Sequence, residues 1–186
     1  MVAKESGVLE VEVPRKFLMQ QNVVRMAAAQ GGQYGAVLYP RRPNDPIPKI
    51  AAGPADTATV STGDGEQLLF LYPGQRCVTV GDLSFEGRAG ICARTGKQIE
   101  LHLLEGKSLV LAGGLGVRGS GPVSLSTAEE GPAELWSNGP QREIEVLLPP
   151  GRKGPLRGAS DTNVVRREEG KLILKVPAGP WHGVVP

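Results

Sequence analysis

Histidine is the side chain whose ordinary titration falls nearest neutral pH, so acid–base chemistry is sought there first. The chain has two histidines, His102 and His182. His102 lies two residues after Glu100 in Gln98-Ile99-Glu100-Leu101-His102. In an extended strand, residues two apart share a face. A carboxylate and an imidazole side by side can act as a general base, and the same pattern also describes a plain solvated strand face. His182 follows Trp181 near the C-terminus, where chains are often loosely held. Serine, histidine and aspartate are all present, but no spacing brings them together and no Gly-x-Ser-x-Gly elbow occurs. The acidic pairs Glu129-Glu130 and Glu168-Glu169 adjoin glycines and read as turn residues, as do Asp64 and Asp82. No catalytic residue and no metal ligand set is assigned. No cofactor is assigned either, although turn aspartates are a residue type that can hold calcium.

Sugar binding is the second chemistry to weigh. Aromatic rings stack on sugars, and arginine forks suit carboxylates and sulfates. Aromatics make up 4% of the chain, so the candidates are few. Tyr39 followed by Arg41-Arg42 joins a ring to two guanidinium groups at the end of an apolar segment. Trp136 and Trp181 complete the set of candidate carbohydrate contacts. The alternative is that Tyr39 packs in a core and the arginines are simply solvated.

These residues must be held by short extended segments. Twenty-six glycines and sixteen prolines in 186 residues cut the chain into pieces too short for long helices. Gly7–Pro14 alternates apolar and acidic residues as a strand does. Residues 17–30 fit either a helix, through alanine and methionine, or a strand, through Val23-Val24, and the strand is preferred in these surroundings. Residues 84–106 read as a hairpin around Thr95-Gly96-Lys97, with Ile99, Leu101 and Leu103 on one face and Gln98, Glu100 and His102 on the other. Similar strand patterns recur through to Val176. The expected fold class is all-β, a β-sandwich or stacked antiparallel sheets, with a second small β-sandwich unit at the C-terminus.

Five glycines among residues 113–121 mark an expected boundary. The chain then divides into a sandwich at 1–112, a linker at 113–122 and a small β unit at 123–186. The glycine cluster looks like a phosphate loop, but a strand and not a helix follows it. Cys77 and Cys92 are compatible with a cross-strand disulfide or with two separate thiols, and have no partners at zinc spacing. A formal charge of +2 gives no ground for a nucleic-acid partner, and no apolar run reaches membrane-spanning length. The N-terminus lacks the apolar core of a signal peptide, and the chain is expected to be a piece of a longer protein.

Three segments together resemble the C-terminal β region of heparinase II/III-type polysaccharide lyases. They are Tyr34-Gly35-Ala36-Val37-Leu38-Tyr39-Pro40-Arg41-Arg42-Pro43, then Phe85-Glu86-Gly87-Arg88-Ala89-Gly90 with Ile99–Gly106, and finally Gly170–Gly179. In such enzymes a helical toroid carries most of the catalytic groups, and the β region can add one histidine. This chain has no toroid and no histidine before residue 102, so the resemblance transfers no catalytic residue. It implies a non-catalytic accessory region of a polysaccharide-degrading lyase, supporting the catalytic domain or binding an acidic polysaccharide. The parent protein would be periplasmic or extracellular. The alternatives are an independent carbohydrate-binding module and, less simply, lyase activity of the chain's own.

Overall fold

The structure, a computed structural model, describes residues 2–8, 21–28, 35–40, 46–128, 131–149, 164–168 and 170–185. Residues 1–48 and 49–186 form two compact units. In the first, β1 (Val2–Val8), β2 (Gln21–Ala28) and β3 (Gly35–Pro40) make an antiparallel sheet with β2 in the centre. Residues 21–28 are therefore strand, not helix. Val23 and Val24 pair with Gly7 and Ser6 on one side and with Leu38 and Val37 on the other. Of the strand expected at Gly7–Pro14, the part from Leu9 onward lies outside the described residues.

The second unit begins with β4 (Lys49–Ala52), a 3-10 turn at Pro54–Asp56 and β5 (Ala58–Ser61). Three long strands follow, β6 (Gly65–Val80), β7 (Leu83–Thr95) and β8 (Gln98–Leu111). Then come β9 (Gly116–Gly119), β10 (Val123–Ala128), β11 (Ala133–Ser137) and β12 (Arg142–Leu147). The last are β13 (Val164–Glu168), β14 (Lys171–Val176) and β15 (Trp181–Val185). All pairing is antiparallel, and these twelve strands belong to one hydrogen-bonded sheet folded onto itself. The fold is all-β.

Strand β8 explains how one sheet makes two layers. Its first half pairs with β10, from Gln98↔Ala128 to Leu103↔Val123. Its second half pairs with β9, from Ser108↔Arg118 to Val110↔Gly116. One layer therefore runs β8–β10–β11–β15 and the other β8–β9–β12–β14–β13. Their inner faces share one core. Leu101, Leu103, Leu125 and Leu135 come from the first layer, and Leu109, Val117, Ile144 and Leu174 from the second.

The corner between the layers is built from the Phe85-Glu86-Gly87-Arg88-Ala89-Gly90 run. The β7–β8 register slips three times between Glu86 and Gly90, which bends the ladder as bulges do. Phe85 is buried and stacks on Phe70 with centroids 4.5 Å apart. A Cβ on Gly87 would lie 2.7 Å from the Phe85 ring and 2.6 Å from the Glu105 carbonyl, and one on Gly90 would lie 2.8 Å from the same ring. The two glycines make room for the phenylalanine where the sheet turns. Arg88–Glu105 and Lys107–Glu86 ion pairs, at 2.8 and 2.9 Å, flank the corner on its exposed side.

The chain divides into its compact units between Pro48 and Lys49, not at the glycines of 113–122. Gly113, Gly114 and Gly121 lie in the turns on either side of β9, and Gly116 and Gly119 are its two ends; β9 pairs with both β8 and β12. Residues beyond 122 stay in the same sheet, because β10 hydrogen-bonds to β8 and Val123 and Leu125 enter the same core as Leu101. Both cysteines are free thiols, Cys77 exposed and Cys92 buried. They face Glu86 and Leu68 across their ladders, well apart along β6 and β7.

Candidate ligand-binding face

Strand alternation sends Leu101, Leu103, Val123, Leu125, Ala133 and Leu135 inward, and so sends their neighbours outward. The cross-strand register then assembles the outward residues into two rows. One row runs Ile91–His102–Ser124–Trp136–His182 through β7, β8, β10, β11 and β15. The other runs Ala93–Glu100–Ser126–Glu134–Val184 on the same strands. Both histidines of the chain therefore stand on one row, about three strand spacings or roughly 14 Å apart. That distance prevents them from sharing a metal ion, and no cluster of metal-ligating groups occurs among the described residues.

The rows are joined by hydrogen bonds. Gln98 Nε2 donates to Glu100 Oε1 at 2.9 Å and to Ser126 Oγ at 3.2 Å. Glu100 Oε2 lies 3.5 Å from His102 Nε2, and His102 Nδ1 is 2.8 Å from Ser124 Oγ. In the neutral ring a carboxylate beside Nε2 favours the proton there, and in that tautomer the Ser124 hydroxyl donates to Nδ1. Serine, histidine and glutamate thus stand in a line that the sequence alone did not bring together. Nucleophilic catalysis also needs donors aimed at a developing oxyanion. On this face the backbone amides of Ser124 and its neighbours belong to the β8–β10–β11 ladders, so none is aimed at such a site.

Trp136 is the large aromatic the face presents to solvent, with 40% of its surface exposed. The His182 ring stacks on it, with centroids 5.1 Å apart and planes 18° from parallel. Glu134 Oε2 sits 3.7 Å from His182 Nε2. The stack occupies one face of the indole. Across the strand on the other side stands Ser124, which is too small to cover it. Beside the pair, at the end of β11 and β15, lies an open depression of about 420 Å³. Pro122, Ser137, Asn138, Pro180 and Trp181 complete its walls. Trp181 packs against the core from this edge.

Arg142 holds three residues of the depression's wall, Pro122, Ser137 and Asn138. Its Nη2 donates to the Pro122 carbonyl and to Ser137 Oγ, both at 2.6 Å, and its Nη1 donates to the Pro140 carbonyl at 3.0 Å. Burial pushes the guanidinium pKa down. With these donors spent on protein oxygens, Arg142 is a positioning residue that ties the start of β10 to the end of β11.

A second hollow, about 260 Å³, is walled by the 3-10 turn, β5, β6, the β6–β7 turn and β7, with Glu66, Asp82, Cys92 and Arg94 among its lining residues. Arg94 Nη2 donates to Asp82 Oδ1 at 2.6 Å, which raises the arginine pKa. Asp82, one of the turn aspartates considered for calcium, is thus paired with a cation. Burial pushes the Cys92 thiol up, partly opposed by Arg94.

Of the five carbohydrate candidates, Trp136 and Trp181 come together at one depression. The backbone of Tyr39 lies in β3 opposite Asn22, and Arg41 and Arg42 lie outside the described residues. The same face also brings in His182, Glu134 and Ser124, which are not among those five. The alternation of Val123-Ser124-Leu125-Ser126 was the available signal for an outward polar row, but only the register joins it to Trp136. Compared with models of protein families, with curated proteins and with solved structures, the chain has no match.

Proposed function

We propose that this chain is a non-catalytic β-sandwich accessory module that binds polysaccharide on the outer face of β8–β10–β11–β15. The observation that carries this reading is the exposed Trp136 ring, stacked on His182 beside an open depression and a row of hydroxyl, amide and carboxylate groups. A flat ring offers stacking area, and the polar row offers donors and acceptors for sugar hydroxyls. Both sit on paired strands, so little ordering is needed on binding. The motif resemblance extends the reading to an accessory region of a polysaccharide lyase, and that extension rests on the motifs alone. The test is affinity electrophoresis against a polysaccharide panel. The native chain is retarded, and Trp136→Ala migrates freely while keeping its circular dichroism spectrum. Equal migration of the two proteins on every polymer would overturn the reading.

The Ser124–His102–Glu100 line favours a second reading, a lyase acting through His102 as base. Elimination from a uronate requires its carboxylate charge to be neutralised, and the charged neighbour of His102 on this face is Glu100. This reading predicts growth of ultraviolet absorbance from an unsaturated uronate, lost in His102→Ala. A flat trace for the native chain on all uronate polymers would remove it.

A further inference from the structure

We infer that the Trp136 face takes a neutral glycan and discriminates against uronate-containing or sulfated polymers. The inference rests on the binding reading above, not on its extension to a lyase, and puts a neutral sugar in place of the acidic polysaccharide that the motif resemblance implies.

The charge on the face decides it. Its outward carboxylates are Glu100 on β8 and Glu134 on β11, in one row two strands apart. The remaining members of the two rows are Ile91, Ala93, Ser124, Ser126, Trp136, Val184 and the two histidines. With the histidines neutral, as in the formal count, the rows carry two negative charges and no lysine or arginine. The walls of the depression, among the described residues, hold no lysine or arginine either. The guanidinium that touches the walls, Arg142, turns its Nη donors to the Pro122, Pro140 and Asn138 carbonyls and to Ser137 Oγ, and its Nε is buried. Uronate and sulfate recognition relies on arginine forks or lysine charges to offset the ligand's desolvated anion. Here an anionic sugar on the indole would come near Glu134 without a counter-charge. A neutral hexose instead presents hydroxyls, for which the carboxylates and the Gln98, Ser124 and Ser126 groups are acceptors and donors.

The experiment is affinity electrophoresis of the full chain at low ionic strength, in gels holding neutral polymers (β-glucan, mannan, xylan) or acidic polymers (alginate, polygalacturonate, heparin). Native protein, Trp136→Ala, Trp136→Phe and the double variant Glu100→Gln, Glu134→Gln are run side by side. The expected result is retardation on at least one neutral polymer, lost by tenfold or more in Trp136→Ala and partly kept in Trp136→Phe. The acidic polymers leave native protein unshifted and gain a Trp136-dependent shift when both glutamates are replaced. Trp136-dependent retardation of native protein that is as strong or stronger on acidic polymers overturns the inference and leaves the binding reading standing. No gain on acidic polymers in the double variant also overturns it, because charge is then not the selector. An absence of Trp136-dependent retardation on every polymer brings down the inference and the binding reading together.

Discussion

Trp136 and Cys92 show how far a single residue's fate follows from its neighbours. An indole exposed on a strand, next to another ring, contributes little to the core, so Trp136→Ala should shift stability by less than about 1.5 kcal/mol while removing polysaccharide binding. Urea unfolding monitored beside the electrophoresis checks both halves. Cys92 is the opposite case. Its thiol is pushed above the ordinary 9.0 by burial, so folding favours the protonated form. That stability is fully present below the unfolded pKa and drains away as pH rises through 9 and beyond. Tyr72, whose hydroxyl donates to the Ala55 carbonyl at 2.8 Å, is raised from 10.0 by burial and acts in the same direction. The urea midpoint should therefore fall between pH 8 and pH 10.5, and fall less in Cys92→Ala. Thiol titration should count one fast group, Cys77, and a second only in denaturant. Residue identity was readable here in part. Alternation alone placed Glu100 and His102 outward and Leu101 and Leu103 inward. It could not supply the partners of His102, because Ser124 reaches it through a register set by β8 pairing with β10.

At the scale of elements, the bend in β7 and the turn held by Arg142 carry the clearest consequences. Gly87→Ala and Gly90→Ala would drive a methyl against the Phe85 ring, and Gly87→Ala would also meet the Glu105 carbonyl. Each should destabilise by about 1–3 kcal/mol through overpacking, and Phe85→Ala by about 3–5 kcal/mol through the cavity it leaves. Denaturant midpoints measure all three. Arg142→Ala removes donors to three carbonyls and a hydroxyl, an expected loss of about 1–3 kcal/mol. It should also weaken polysaccharide binding, because Pro122 and Ser137 wall the depression. If binding were untouched while stability fell, the turn would have no part in the site. Most elements were legible from period-two patterning and turn residues, including the hairpin at Thr95–Lys97, where Gly96 has φ +56°. The bend was not. Phe-Glu-Gly-Arg-Ala-Gly could be noticed as a motif, but its meaning lies in a ring filling the space of two absent side chains.

For the whole molecule, residues 49–186 form a compact unit with its own core, while 1–48 form another. The fragment 49–186 should therefore fold cooperatively and keep the native chain's Trp136-dependent retardation. A broad, non-cooperative melt of the fragment would show that its stability depends on the first unit. The all-β class was readable from composition and punctuation. Domain division was not, because a run of glycines looks alike whether it separates domains or turns a chain between neighbouring strands. Only the pairing of β9 with both β8 and β12 distinguishes the two cases.

The position of β15 has a consequence in time. Strands β6, β7 and β8 meet their neighbours through short turns, whereas β15 at the C-terminus must find β11 across more than forty intervening residues, with β11 its one partner among the described strands. Contacts that close long loops form late, and strands held on one side open first. The amides of β15 should exchange with deuterium well before those of β7 and β8. Since β15 carries His182, the ring stacked on Trp136, a bound glycan should slow exchange there more than anywhere in the core. The binding face would then be completed late on folding, and its ligand would act as a clasp on a strand held from one side.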